Sequence, residues 1–180
     1  MDIDRLIINW YNKAYQEEDY FSKFVFEYLA FIAFLRKVKK EFRHRTNLFD
    51  RNVIEEFKQL KDTKNAYLQR IKNSDELQKA WEHIIKTFKE KPFSDAAARN
   101  LGLNEHRYWE GVINNLEDWD SMVEFWYCVR NNLFHGEKDP DSSRDEFAVE
   151  FGYKTLKELV KLLLEEELSE YSTTNQAPEY

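Results

Sequence analysis

The stretch Cys128-Val129-Arg130-Asn131-Asn132-Leu133-Phe134-His135-Gly136 gathers an arginine, two asparagines and a histidine within six residues. Those residue types suit metal-independent cleavage of RNA, in which the ribose 2′-OH attacks the adjacent phosphate. The reaction needs a group that takes and gives protons near neutral pH. Histidine, with a reference pKa of about 6.5, does both. Positioned acid–base catalysis supplies roughly 10²–10⁴-fold. The phosphorane oxygens also need a fixed positive charge, and arginine offers a planar fork that stays protonated. His135 is the candidate acid/base, Arg130 the candidate phosphate stabiliser, and Asn131 a supporting contact that orients His135 or bonds a phosphate oxygen. A plainer reading stands beside this one. His135 caps a helix C-terminus, and Arg130 pairs with an acid such as Glu27 or Glu124.

Residues 119–134 carry the stretch on a helix whose apolar positions Phe125, Trp126, Val129 and Leu133 pack inward. Arg130, Asn131 and His135 are then left toward a groove or an interface. Arg130 and His135 are five residues apart, about 140° around a straight helix. They converge if the helix ends between them, as Gly136 at the C′ position permits. Alternatively, each meets its counterpart from a second subunit across a twofold axis. A helix C-terminus favours protonated His135, and neighbouring Arg130 disfavours it.

Arg130-Asn131-x3-His135 resembles the R-x4-6-H motif of the HEPN superfamily, and the wider string VRNNLFHGEK is similar to the motif in bacterial members. The apolar stretch FVFEYLAFIAFL (24–35) resembles an early helix of that family. The resemblance covers the motif helix well, the second helix loosely and residues 45–118 hardly at all. It implies a helical bundle that homodimerises to bring two Arg/His sets into one cleft. It also implies a metal-independent endoribonuclease of the toxin or anti-phage kind, with no cofactor and with RNA as its partner. Several such toxins pair with a small nucleotidyltransferase antitoxin. Other members are non-catalytic modules binding a protein or nucleotide, and that reading stays open.

Composition sets the frame for these residues. At 180 residues one domain is expected, large enough to bury roughly 70% of its unfolded surface without disulfides or metal. We expect a single helical domain over 1–168, with 45–118 a helical insertion and 169–180 a disordered tail. Cys128 is the single cysteine, which precludes an internal disulfide and reads as a small core residue. No signal peptide is visible behind MDIDRLIINW, and 24–35 is too short to span a bilayer, which takes about 20 apolar residues. A soluble, cytoplasmic protein is therefore expected, with no membrane contact.

Four Gly, three Pro and long 3.6-residue periods predict an all-α fold, a bundle of about five to seven helices. Helices are expected over 3–17, 20–44, 50–72, 74–90, 105–115 and 119–134. Ser74 is the expected cap of the helix to residue 90, and Ser143 with Glu146 forms a capping box for the last helix. Gly152 should weaken that last helix locally. Glu27, inside the most apolar helix, reaches a cation, points into a groove or lies merely at the rim, because an unpaired buried carboxylate is costly.

Charge is unevenly spread. Residues 137–180 carry 12 acids and 5 bases, against 22 of each before them. The run RKVKKEFRHR (36–45) goes the other way, at net +5. Its Arg36, Lys37, Lys39, Lys40, Arg43 and Arg45 read either as a solvated helix end or as a phosphate-contacting patch. His44, His83 and His106 have no constellation around them. Finally, Ala98-x-x-Leu101-Gly102-Leu103-Asn104 matches the turn of a helix-turn-helix. The helix after it, through 115, offers one Arg against two Glu, a poor surface for reading DNA.

Overall fold

Helical periodicity with few breakers gives helices here, and the computed structural model shows seven among the described residues, with no strand among them. It describes residues 3–41, 50–93, 109–134 and 142–174. Side chains are described for all of these except 38–41, 50 and 166–174. The helices are α1 (Ile3–Gln16), α2 (Tyr20–Glu41), α3 (Asp50–Lys58), α4 (Lys61–Asn73), α5 (Asp75–Glu90), α6 (Trp119–Phe134) and α7 (Ser143–Thr174).

Several starts are fixed by local chemistry. Asp19 caps α2 by accepting from the Ser22 amide at 2.8 Å, and that bond holds its carboxyl below the usual range. Ser74 caps α5 as expected, its Oγ accepting from the Leu77 amide. Asp118 caps α6. Burial works to raise its pKa, but the donors of Asn114 and Ser121 outweigh this and hold it low. The last helix departs from expectation by one residue. Ser142, not Ser143, accepts from the Asp145 amide, and its carbonyl receives Glu146. The helix then runs to Thr174, six residues into the stretch expected to be loose.

Two other expectations are corrected. The helix expected over 50–72 is two helices, broken at Gln59 and Leu60. No Gly or Pro stands there. Instead the Trp119 indole donates to the Lys58 carbonyl at 3.2 Å, and the bend lets both Phe57 and Tyr67 pack on the Trp119 ring. The described part of the helix expected over 105–115 is not helical. Gly111 sits at φ 79°, and its carbonyl accepts from the Phe93 amide at 2.8 Å. A Cβ at Gly111 would fall 1.9 Å from the Phe93 carbonyl oxygen, so only glycine fits. The second half of the helix-turn-helix candidate is therefore a packed loop over 109–115. Its first half, 94–108, lies outside the described residues.

The core is aromatic. Trp81, Trp119, Trp126, Tyr67 and Phe125 are all fully buried and pack ring against ring. Their polar tips are satisfied. Trp81 donates to the Tyr67 hydroxyl, Tyr67 to the Thr155 carbonyl, and Trp126 to the Thr155 hydroxyl. Thr155 in turn donates back to Phe151 within α7.

Contacts fix the helix directions. Trp126 meets Thr155 and Val129 faces Gly152, so α6 runs antiparallel to α7. Tyr20 packs on Tyr153, and Glu27 lies in the field of Lys157 and Glu158, so α2 runs parallel to α7. Hence α2 and α6 are antiparallel. Gly152 sits where three helices meet. A Cβ there would stand 3.0 Å from the ring of fully buried Phe24. Its local cost to helix propensity is offset by this close approach. Gly152→Val is expected to destabilise the fold by roughly 1–3 kcal/mol, as overpacking does. Urea denaturation measures this, and an unchanged midpoint would mean that Phe24 yields freely.

Candidate functional site

The last turn of α6 carries the cluster. Arg130 is partly exposed, and its Nη1 donates to Asn131 Oδ1 at 2.9 Å. Its guanidinium lies over the Phe134 ring, 4.9 Å from the centroid, and Phe134 is 58% exposed. Asn131 is buried rather than turned to open space, at 6% exposure, and Asn132 beside it is buried as well. The polar cluster is thus half inside the bundle, and Arg130 with Phe134 forms its outer part. His135 lies outside the described residues, directly after the end of α6.

Neither carboxylate expected to hold Arg130 does so. Glu124 is buried and spends both oxygens elsewhere. Oε1 accepts from Lys58 Nζ, and Oε2 from Arg51 Nη1 at 2.7 Å. Arg51 also lies over the Tyr127 ring and pairs with Glu55. This network ties α3 to the middle of α6 and sets the position of the helix that ends in Arg130. Glu27 is 1% exposed, and its Oε1 has no hydrogen-bond partner. Burial pushes its pKa up to about 8. The positive field of Lys157 opposes this, and Glu158 adds to it.

The described start of the basic run, Arg36 and Lys37, lies elsewhere in the bundle. Phe24 of α2 is level with Gly152 and Val129, one residue from Arg130. Arg36 is twelve residues further along α2, about 18 Å of helix, and α6 runs the opposite way. At the far level, Phe31 meets Phe57, which meets Trp119 at the start of α6. Arg36 and Lys37 therefore lie toward the end of the bundle opposite to Arg130. Arg36 is exposed, and Lys37 is held by Asp4 at 2.8 Å. Lys39 and Lys40 belong to the last turns of α2, where only the backbone is described. Arg43, His44, Arg45 and His106 lie outside the described residues.

His83, which has no sequence neighbours of functional type, stands edge-on to Phe147 and Phe151 and lines a groove with four lysines. Its neighbours come from three other helices, so only tertiary contacts reveal them. Among the described residues no helix is long and apolar enough to cross a membrane. Comparisons with protein-family models, with curated proteins and with solved structures find no match to this chain.

Proposed function

We propose that this protein is a HEPN-like, metal-independent endoribonuclease that acts as a homodimer, with Arg130, Asn131 and His135 as its site. The observation that carries this reading is the Arg130–Asn131 hydrogen bond on the last turn of α6. It holds a guanidinium at a defined place, partly exposed, five residues before His135 in the chain. A fixed fork of N–H donors suits the developing charge of a phosphorane. Phe134 adds an exposed ring under that guanidinium, an apolar surface suited to a second copy or to an unstacked base. The all-α fold agrees with the family that the motif resembles. In this reading a toxin or defence role, and an antitoxin of nucleotidyltransferase type, follow from the resemblance alone.

The test is cleavage of RNA in EDTA by the wild-type chain and by His135→Ala, with analysis of the product ends. Wild type is expected to leave 2′,3′-cyclic phosphate or 3′-phosphate ends. His135→Ala should lose at least about 100-fold in rate. A folded, dimeric wild type that cuts no RNA would remove the nuclease reading and leave the motif as part of a binding module.

A further inference from the structure

A second feature stands independently of the nuclease reading. A groove of about 790 Å³ opens between the end of α1, the start of α2, the start of α5 and the middle of α7. This volume falls in the range of roughly 300–1,000 Å³ typical of small-molecule sites. Its walls carry Lys23, Lys79, Lys154 and Lys157 against Glu76 and Glu158, a net +2 on a chain of net −7. Glu158 is already engaged by Arg70 at 3.0 Å, and Lys154 by Glu150 at 2.5 Å. Lys23, Lys79 and Lys157 have no described carboxylate within ion-pairing distance.

The ammonium groups of Lys23, Lys154 and Lys157 rest on aromatic rings. Lys23 lies over Tyr20 and Tyr153, at 5.3 and 5.7 Å from their centroids. Lys157 lies over Tyr15 and Tyr153, at 5.9 and 6.0 Å. Lys154 lies over Tyr20 and Phe151, at 5.7 and 5.1 Å. Three cations from two helices therefore converge on one tyrosine patch, each on a flexible stem. A contact with a ring is weaker than a charge-assisted hydrogen bond to a phosphate oxygen. An entering phosphate would draw the ammonium groups off the rings. The first turn of α5, capped by Ser74, borders the same groove and adds the positive end of a helix.

We propose that this groove binds a small polyanion with a chain of two or more phosphates, held by Lys23, Lys154 and Lys157 and bordered by the exposed ring of Tyr15. A phosphate chain spans several ammonium groups at once, which a single carboxylate does not. Such a chain has two ready sources, an inorganic polyphosphate or a nucleoside polyphosphate, and Tyr15 at 72% exposure is placed to tell them apart by stacking on a base.

The test uses the full chain and calorimetric titration with inorganic tripolyphosphate, ATP and a short single-stranded RNA, at low and at moderate salt. Tripolyphosphate and ATP are expected to bind saturably and more weakly at higher salt. Lys23→Gln and Lys157→Gln should each weaken binding about tenfold, and Lys61→Gln, outside the groove, should not. Circular dichroism checks that each single variant is folded. ATP binding tighter than tripolyphosphate, with the margin lost in Tyr15→Ala, names the nucleoside form. Equal binding names the inorganic chain. No heat with tripolyphosphate or ATP up to about 10 mM, binding indifferent to both groove variants, or binding of the RNA alone would each overturn the proposal.

Discussion

Glu27→Met is expected to stabilise this protein by about 3 kcal/mol at pH 7, an effect that grows with pH. The Glu27 carboxyl ordinarily titrates near 4.5, and burial raises it to about 8 in the folded chain. Below pH 4.5 it is protonated in both the folded and unfolded states, so its ionisation costs nothing. Between 4.5 and 8 the unfolded chain releases the proton while the folded chain keeps it. Folding therefore loses stability steadily as pH rises through that window, at about 1.4 kcal/mol per unit, and the loss levels off near 5 kcal/mol above pH 8. Methionine matches the length of glutamate and has nothing to ionise. It also removes an oxygen, Oε1, that is buried without a hydrogen-bond partner. Urea denaturation at pH 4.5, 7 and 8.5 checks this. A difference between variant and wild type that stays flat across those pH values would mean that Glu27 is not held protonated. Tyr11 and Tyr153 share its surroundings and are themselves raised, Tyr153 to about 12, so neither titrates within the window.

Glu124→Ala should act in the opposite direction, destabilising the fold by roughly 3–5 kcal/mol. The Glu124 side chain is 6% exposed, and that of Lys58, its main partner, is 8% exposed. Deleting the carboxylate leaves the Lys58 ammonium buried, with only the half-exposed Glu55 at 3.1 Å to answer it. The loss comes chiefly from that stranded charge rather than from the pair's net worth. The double variant Lys58→Met/Glu124→Leu should therefore recover much of the stability, with coupling of opposite sign to a simple sum. If the double variant is as unstable as Glu124→Ala, packing rather than charge governs the site. The same network sets the position of α6, so Glu124→Ala should also lower any cleavage that depends on Arg130.

Composition and periodicity by themselves determined that this chain is a helical bundle. Scarce Gly and Pro leave 3.6-residue patterns uninterrupted, and Ser74 before Asp75 and Glu76 marks a helix start by local hydrogen bonding alone. The proposal for Arg130, Asn131 and His135 rests on their types and spacing, which can be set against reaction chemistry without a fold. Tertiary structure decided the rest. The break between α3 and α4 has no local cause, since it depends on a tryptophan 61 residues away donating to the Lys58 carbonyl. Residue types did not foretell that Asn131 turns inward or that Glu124 is claimed by α3. Periodicity shows which face of a helix is buried but not which way the helix runs. Arg36 and Lys37 could therefore be joined with Arg130 on residue type alone, whereas the antiparallel packing of α2 and α6 sets them toward opposite ends. The lysine groove was hidden for the same reason. Lys23, Lys79 and Lys157 each look like an ordinary solvated side chain until three distant helices bring them to one patch.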